Sequence, residues 1–333
     1  MHISCSKPSI TDLEKSYVND ALSKGDIGIG EYIGKFEQAW AKWNNYAYGI
    51  SCNSGTNALF LALKALGIGP GDEVIVPEYT MIATAWAVTY TGATPVFVDC
   101  KDDLNIDVDQ ICITENTKAI IAVPIYGRPV DSRIYQLGVT VVEDMAEAHG
   151  IKPQGTVACY SFYGNKILTT GEGGMCLTND QFLADEMRSL ANMYFDKGRT
   201  MIHPKVGHNF RMTNLQAAVG LAQVERIEEI LAKRKEIEFL YDAFLPPQFL
   251  NGKREVLWMY DIHTCKHQEE IKQKLAEQGV ETRYGFKPMS MQPMYFNPKY
   301  VHLNAYKWSK RILYLPTWTD MSEDTIIRIC RML

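Results

Sequence analysis

The sequence predicts an α/β fold in which a mainly parallel sheet is covered by helices and is followed by a smaller α+β domain. Short apolar runs rich in Val and Ile alternate with helical patterns through the first two thirds of the 333 residues. Most runs are apolar at consecutive positions, as is typical of strands buried on both faces. Seven strands are predicted, at Tyr48–Cys52, Glu73–Val76, Pro95–Asp99, Ala119–Val123, Val139–Glu143, Ala158–Tyr163 and Gly174–Thr178.

Helix signals lie between and after these strands. A Ser-Gly-Thr-Asn turn at 54–57 precedes the apolar segment ALFLALKAL, while Thr80 opens a second helix that Gly92 ends. Apolar residues at three- and four-residue spacing predict one long helix from Asn214 to about Phe244. Its length indicates that it links two domains.

The chain changes character after the Pro-Pro pair at 246–247. A strand-like segment, a charged helix and a final helix form a compact α+β tail. The first 15 or so residues have the character of an arm rather than of a core element. We therefore expect an N-terminal arm at 1–15, a large domain at 16–225 and a small domain at 226–333.

Composition and charge exclude several classes of function. The net charge of −5 argues against a nucleic-acid-binding protein, whose affinity depends on a basic surface. None of the eight cysteines forms a CxxC pair, so we expect no structural metal site. No signal region and no apolar run of bilayer length is present, so we expect a reduced, cytoplasmic protein without a membrane partner.

The turn that follows the first predicted strand is a candidate anion site. Ser54, Gly55 and Thr56 offer hydroxyl and backbone N–H groups at the start of a helix. The unpaired N–H groups and the helix dipole both favour a phosphate group at such a position. A plain helix N-cap explains the same residues, and no Walker A lysine follows them.

An acidic pair, Glu143 and Asp144, ends the fifth predicted strand. Ligands of α/β sheets bind at the carboxyl ends of strands. Asp144 is therefore a candidate metal ligand, ribose ligand or counter-charge for a protonated heterocycle, and a helix N-cap is the structural alternative. His149, a few residues later, is interpreted as structural.

A single lysine, Lys166, stands in the segment SFYGNKILTTGEGG after the next strand. By itself it is a phosphate ligand, a Schiff-base nucleophile or an ordinary surface residue. The order of anion turn, Asp144 and Lys166 matches the needs of pyridoxal phosphate (PLP). That cofactor requires an anion site, a carboxylate that keeps its ring nitrogen protonated, and a lysine.

Gly28, Gly30 and Gly34 superficially resemble a dinucleotide-binding fingerprint. Their spacing is wrong and no strand precedes them. They are interpreted as a loop that opens the helix containing FEQAWAKW.

These motifs together resemble the DegT/DnrJ/EryC1/StrS family of sugar-nucleotide aminotransferases, which have the fold-type-I PLP aminotransferase architecture. The resemblance covers nearly the whole chain, and its motifs are highly specific. The subgroup that it resembles most is the perosamine synthase type of C4 aminotransferases. The motifs are GEYIGKFE, SCNSGTNAL, GPGDEVIVPEYTMIAT, TGATPVFVD, VVEDMAEAHG, SFYGNKILTTGEGGM, GHNFRMTNLQAAVGLAQ, LWMYDI and YLPTW.

The resemblance assigns roles to residues near the cofactor ring. Lys166 matches the Schiff-base lysine, and Asp144 matches the partner of the pyridinium nitrogen. Glu147 falls where the family has a side chain near the phenolic oxygen. Lys166 and Asp144 are thus the implied catalytic residues.

The resemblance also implies how the cofactor phosphate is bound. Gly55, Thr56 and Ser161 fall at the family's phosphate-binding positions, next to Ser54 of the same turn. Asn209 matches an asparagine that reaches the cofactor phosphate of the neighbouring subunit. The resemblance therefore implies an obligate homodimer with shared active sites.

Three positions depart from the family pattern. Met81 stands where the family usually has an aromatic residue stacked on the pyridine ring, although a thioether can also pack on a ring face. The segment at 151–160 is several residues shorter than is common, so a hairpin near the site is trimmed. Ser290 replaces a frequent histidine and alters the sugar or nucleotide contacts expected from its segment.

The resulting hypothesis is a PLP-dependent transaminase. L-Glutamate donates the amino group, and the C4 ketone of a nucleotide-linked 4-keto-6-deoxyhexose accepts it, giving a 4-amino-4,6-dideoxy sugar of the perosamine or viosamine type. Amination at C3, or of a cyclitol ketone, is an alternative that the core motifs leave open. A sugar dehydratase is disfavoured, because related dehydratases replace this lysine with histidine. A non-catalytic PLP-binding regulatory protein is disfavoured by the Asp144–Lys166 pair.

Overall fold

A seven-stranded sheet and a separate three-stranded sheet organise the chain. The computed structural model describes residues 2–196, 200–265, 267–298 and 303–333. Its strands are β1 (Tyr48–Cys52), β2 (Glu73–Pro77), β3 (Thr94–Val98), β4 (Thr117–Ala122), β5 (Thr140–Asp144), β6 (Val157–Ser161), β7 (Gly174–Thr178), β8 (Tyr260–His263), β9 (Arg283–Tyr284) and β10 (Ile312–Leu315).

The α-helices lie between and after these strands. They are α1 (Asp12–Lys24), α2 (Glu31–Trp43), α3 (Gly55–Ala65), α4 (Ile82–Thr91), α5 (Gln181–Ala191), α6 (Asn214–Glu225), α7 (Ile227–Phe244), α8 (Gln268–Glu277), α9 (Leu303–Ser309) and α10 (Glu323–Arg331). Within the described residues, no helix combines the length and the hydrophobicity needed to cross a bilayer.

The large sheet has the strand order β1-β7-β6-β5-β4-β2-β3. Strand β7 runs antiparallel to both of its neighbours, and the other pairs are parallel. The predicted fold class is therefore confirmed. All seven predicted strands are present. Strands β1 and β7 have the predicted bounds, and the ends of the other strands are displaced by at most two residues, as at the start of β4 and the end of β6.

Consecutive apolar residues are buried on opposite faces of this sheet, as their pattern predicted. In β2, Val74 and Val76 join the main core, whereas Ile75 packs on the other face. In β4, Ala119 and Ile121 lie on the first face and Ile120 on the second. The second face is covered in part by short 3₁₀ turns at Val108–Gln110 and Ser132–Gln136 rather than by α-helices.

The prediction of one continuous helix over 214–244 was wrong. Helix α6 ends at Glu225 and α7 begins at Ile227, because Arg226 adopts φ −107° and ψ 9°. The Arg226 guanidinium group pairs with the buried Glu14 carboxylate at 2.7 Å. No glycine or proline marks this break in the sequence. The break coincides with the predicted domain limit at 225/226, and the domain limits themselves stay a prediction.

The segment before α1 is extended and crosses to the small sheet. Ile3 forms a bridge with Val280, and Cys5 N donates to Glu281 Oε2 at 3.1 Å. A capping box between Thr11 and Glu14 starts α1, so its first turn lies within the predicted arm.

The two sheets are joined at Gly127. Its carbonyl oxygen accepts hydrogen bonds from Glu255 N at 2.9 Å and Val256 N at 3.3 Å. The next residue, Arg128, pairs with the buried Asp261 of β8, which Arg254 also contacts. Burial alone raises the pKa of Asp261, but the two guanidinium groups hold it below its ordinary value. These contacts fix the small sheet beside the carboxyl end of β4.

Replacement of Gly127 tests this junction. Gly127 has φ +74°, and a Cβ atom there would lie 1.9 Å from Val256 O. Gly138 has φ +73° with no atom within 4 Å of a Cβ position, so it is a matched control. We expect Gly138→Ala to lose about 1 kcal/mol of unfolding free energy, and Gly127→Ala to lose at least about 2 kcal/mol more. Equal losses in urea denaturation would contradict the proposed tight docking.

Candidate active site

A cavity of about 430 Å³ lies at the edge of the large sheet where its parallel strands end. Strands β1, β2, β5 and β6 run in the same direction, so the residues that follow them converge there. Eight of the nine residues that the sequence indicated line this cavity: Ser54, Gly55, Thr56, Met81, Asp144, Glu147, Ser161 and Lys166. The small sheet closes the opposite side with Arg283 and Tyr314.

Asn209 is the exception. Its side chain is exposed, its backbone forms a bridge with Asn192, and it does not line the cavity of its own chain. The sequence assigned Asn209 to the site of a neighbouring subunit, so that role stays a prediction.

The turn at Ser54 forms part of the cavity wall. Ser54 caps α3, since its hydroxyl oxygen accepts from Asn57 N at 3.2 Å. The cap leaves the Gly55 and Thr56 N–H groups at the helix start, where no helical acceptor exists. A Cβ atom on Gly55 would lie 2.6 Å from Ser161 Cβ, so only glycine fits this approach. The two interpretations of this turn, N-cap and anion site, are thus compatible.

Asp144 is a buried carboxylate at the end of β5. Thr84 Oγ1 donates to its Oδ2 at 2.8 Å, and Ala146 N donates to its Oδ1 at 3.2 Å. Burial raises the pKa of Asp144, while the Thr84 hydrogen bond and the charge of Lys166 oppose the rise. A cation beside Asp144 would favour its ionised form.

Glu143 faces away from the cavity, because successive side chains of a strand point to opposite faces. Its Oε2 accepts from Gln154 N at 2.8 Å and Gly155 N at 2.6 Å, within the 151–160 segment. Glu143 therefore holds this turn, and Asp144 is the member of the acidic pair that reaches the site.

Lys166 and Glu147 face each other across the cavity floor. Lys166 has intermediate exposure because its side chain faces the cavity, yet protein surrounds the amine. Burial lowers the pKa of Lys166, against the charges of Glu147 and Asp144. Burial raises the pKa of Glu147 to about 7, against the charge of Lys166. Tyr126 N donates to Glu147 Oε2 at 2.9 Å and orients this carboxyl group.

Trp258 is a site residue that the sequence did not identify. The Lys166 Nζ atom lies 4.1 Å from the centre of its ring, and Trp258 Nε1 donates to Asn165 O at 2.9 Å. Arg234 fixes the Trp258 backbone by donating to the carbonyl oxygens of Leu257 and Trp258. The LWMYDI motif contains Trp258, but no pattern within it indicates a contact with a lysine 92 positions earlier.

His149 and Ser290 have the environments of structural residues rather than of residues that contact a ligand. His149 is buried, its Nδ1 accepts from Leu168 N at 3.2 Å, and burial lowers its pKa to about 3, so the ring is neutral at ordinary pH. Ser290 lies outside the cavity lining, and Ser290 N donates to the buried Glu78 carboxylate at 2.8 Å. Met81 remains at the cavity mouth and is 48% exposed.

The residues present fit PLP. The Ser54–Thr56 turn and Ser161 offer donors for a phosphate group, Asp144 offers a carboxylate for a ring nitrogen, and Lys166 offers an amine of lowered pKa. Among the described residues, no group of three or more acidic, histidine or cysteine side chains has the arrangement of a metal site.

Comparisons with known proteins agree with this chemistry. The profile of the DegT/DnrJ/EryC1/StrS aminotransferase family matches residues 8–333. GDP-perosamine synthase from Escherichia coli O157:H7 is 39% identical over 97% of this chain and 95% of that protein. UDP-N-acetyl-3-dehydro-alpha-D-glucosamine 3-aminotransferase from Acidithiobacillus ferrooxidans is 34% identical over 95% and 91%.

A solved structure also has a fold similar to that of this chain. The putative sugar aminotransferase Spr1654 from Streptococcus pneumoniae, in its PMP form, superposes with a TM-score of 0.93 at 28% identity, covering 99% of this chain and 96% of that one.

The close approach of Gly55 to Ser161 leads to a prediction about the affinity for the cofactor. Gly55→Ala pushes the turn away from Ser161, so we expect the dissociation constant for PLP to rise about tenfold or more. Gly34→Ala is the control, because a Cβ atom on Gly34 meets no atom within 4 Å. Titration of the apoprotein with PLP, followed by protein fluorescence, measures both constants. An unchanged constant for Gly55→Ala would argue against this turn as the phosphate site.

Replacement of the cavity lysine gives a second prediction. We expect Lys166→Ala to lose the visible absorption that covalently attached PLP gives the wild-type protein, and to release the cofactor on dialysis. Lys152→Ala is the matched control, since Lys152 Nζ also lies over a tryptophan ring, that of Trp43, but outside the cavity. Retained visible absorption in Lys166→Ala would exclude Lys166 as the attachment point.

Proposed function

The chain belongs to the DegT/DnrJ/EryC1/StrS aminotransferase family, and we propose that it transfers an amino group from L-glutamate to the C4 ketone of a nucleotide-linked 4-keto-6-deoxyhexose. The protein is a PLP-dependent aminotransferase. The proposed product is a nucleotide-linked 4-amino-4,6-dideoxyhexose of the perosamine or viosamine type. The observation that carries the proposal is the enclosed Lys166–Asp144–Glu147 group in a chain similar over its whole length to a GDP-perosamine synthase.

PLP, when bound, supplies an electron sink that makes the hydrogen on the amine-bearing carbon acidic. Lys166 is the residue that we propose to hold the cofactor and then to carry this proton on its Nζ atom. A general base works best when its pKa lies near the operating pH. Because burial lowers the pKa of Lys166, a larger share of its amine is unprotonated at neutral pH than for an exposed lysine.

We propose that Asp144 and Glu147 are held in fixed positions around the cofactor ring. Asp144 is held by Thr84 and by Ala146 N, so its carboxylate is oriented before any ligand arrives. Glu147 is held by Tyr126 N and has a pKa of about 7, so it exchanges a proton readily with a nearby acidic hydroxyl group. Both carboxylates also balance the charge of Lys166 in a site of low polarity.

We propose that the active unit is a homodimer. Several large apolar side chains are exposed near the cavity mouth or on the nearby 200–210 segment: Met81, Tyr163, Met201, Ile202 and Val206. Exposed apolar surface of this kind favours a protein partner. Asn209 is exposed on the same segment, in keeping with its proposed contact to the cofactor phosphate of the partner subunit.

Amination at C3 is the second candidate, because the relative from Acidithiobacillus ferrooxidans is named as a 3-aminotransferase. A cyclitol ketone is a further acceptor that the site admits. A non-catalytic PLP-binding regulatory protein is disfavoured, since a buried lysine between two carboxylates has a desolvation cost that regulation alone does not require.

Parallel amination assays test the proposal. The purified, PLP-loaded protein is given L-glutamate with GDP-4-keto-6-deoxymannose, or with the UDP- or dTDP-linked 4-keto-6-deoxyglucose. We expect amination of at least one of them, with the GDP sugar at least about tenfold faster in kcat/KM, a difference of ~1.4 kcal/mol in transition-state binding. NMR of the product locates the new amine. An amine at C3, or no product from any 4-keto sugar while a 3-keto sugar reacts, contradicts the proposal.

A further inference from the structure

The small sheet presents two polar residues to the cavity. Arg283 of β9 and Tyr314 of β10 are directly opposite in an antiparallel pair. Side chains of directly opposite residues lie on the same face of a sheet, with their Cβ atoms about 5 Å apart. Both residues line the cavity, so this face forms its wall opposite the large sheet.

The Tyr314 ring supports this wall. The residue is 5% exposed, and its hydroxyl oxygen is closed to solvent and adjoins the Tyr126 hydroxyl group. Burial raises the pKa of Tyr314 well above its ordinary value, so the hydroxyl group keeps its proton. Tyr314 therefore lines the cavity with its ring rather than with its hydroxyl group.

Arg283 supplies the positive charge of this wall. The cavity lining contains two cationic side chains, Lys166 and Arg283. Arg283 Nε and Nη2 donate to Glu281 Oε1 at 3.3 and 3.2 Å, while Nη1 makes no hydrogen bond to a described residue. Glu281 itself is held by Cys5 N. The guanidinium group is therefore oriented on one side and leaves donors for a ligand on the other.

We propose that Arg283 binds a carboxylate group of the amino donor. The inference rests on the proposed function and assigns the residue that recognises one of its two substrates. A guanidinium fork is a good donor to a carboxylate. With Lys166 committed to the cofactor, Arg283 is the remaining cation that the described residues of this chain contribute to the lining.

Position favours the donor carboxylate over a nucleotide phosphate. Trp258 lies against both Lys166 and Tyr314, at 4.1 Å from Lys166 Nζ and 5.9 Å between the rings. The Tyr314 end of the wall is thus one aromatic ring away from Lys166, and Arg283 lies directly opposite Tyr314 in the sheet. In an amino acid the α-carboxylate is bonded to the carbon that bears the amine. In the sugar nucleotide, the sugar ring and the glycosidic oxygen separate C4 from the first phosphate.

Separate half-reactions test this assignment. Reaction of the PLP-loaded enzyme with glutamate is followed by the loss of visible absorption, and reaction of the aminated enzyme with the nucleotide sugar by its return. We expect Arg283→Gln to raise the half-saturating glutamate concentration about tenfold or more, with a small change in the nucleotide-sugar value. Arg283→Lys recovers part of the loss.

The matched control is Arg133→Gln. Arg133 is 52% exposed and Arg283 is 50% exposed, and each pairs with surface carboxylates, but Arg133 does not line the cavity. Arg133→Gln should leave both half-saturating values unchanged. Thermal unfolding and cofactor absorption verify that each variant is folded and loaded.

Inhibitors identify the anion independently of turnover. Glutarate, a dicarboxylate without an amine, should inhibit Arg283→Gln about tenfold less strongly than the wild type, whereas a nucleoside diphosphate should inhibit both equally. The reverse pattern assigns Arg283 to the phosphate and overturns the proposal, as does an unchanged response to both. If glutamate fails to bleach the wild-type enzyme although another amino acid does, the proposed donor is wrong, and only glutarate inhibition then decides the role of Arg283.

Discussion

Lys166, Asp144 and Glu147 place one amine and two carboxyl groups in a cavity wall of low polarity, and such a group is stable only if protein donors replace the lost hydration. Thr84 and Ala146 N do so for Asp144, and Tyr126 N does so for Glu147. Much of the fold serves to deliver these donors. Strand β5 ends at Asp144, α4 carries Thr84, and the segment after β4 brings Tyr126. The Gly127 junction then fixes that segment against the small sheet.

The large sheet and the floor of the site were predictable because their signals are local. Buried parallel strands have consecutive apolar residues, and a parallel sheet brings the residues after its strands to one edge. Asp144, Lys166 and the turn at Ser54 could therefore be connected from the order of strands and polar residues along the chain. The resemblance to a family then added Glu147 and Ser161, whose own sequence context is unremarkable.

The opposite wall could not be predicted in this way. Arg283 and Tyr314 lie on a separate sheet, and Trp258 lies just before the first strand of that sheet. Their contact with the floor depends on how the sheet docks at Gly127. The docking of one sheet on another leaves no periodic pattern of residues in the sequence. The break at Arg226 likewise coincides with a contact to a residue distant in sequence, Glu14, that no local pattern indicates. Glu143 and Asp144 were predictable in part. Neighbouring side chains of a strand point to opposite faces, so only one of the two can reach the cavity. Which one does so is known only from the structure.

The position of Trp258 allows the chemistry of this site to be followed by tryptophan fluorescence. The centre of its indole ring lies 4.1 Å from the Lys166 amine, so excited-state energy passes efficiently from the indole to a cavity ligand that absorbs in the near ultraviolet or visible range. Emission from Trp258 therefore depends on which form of the cofactor is bound, whereas tryptophans far from the cavity provide a steadier background. The enzyme contains six tryptophans, and the difference between the wild type and a Trp258→Phe variant isolates the one that reports each half of the reaction in real time.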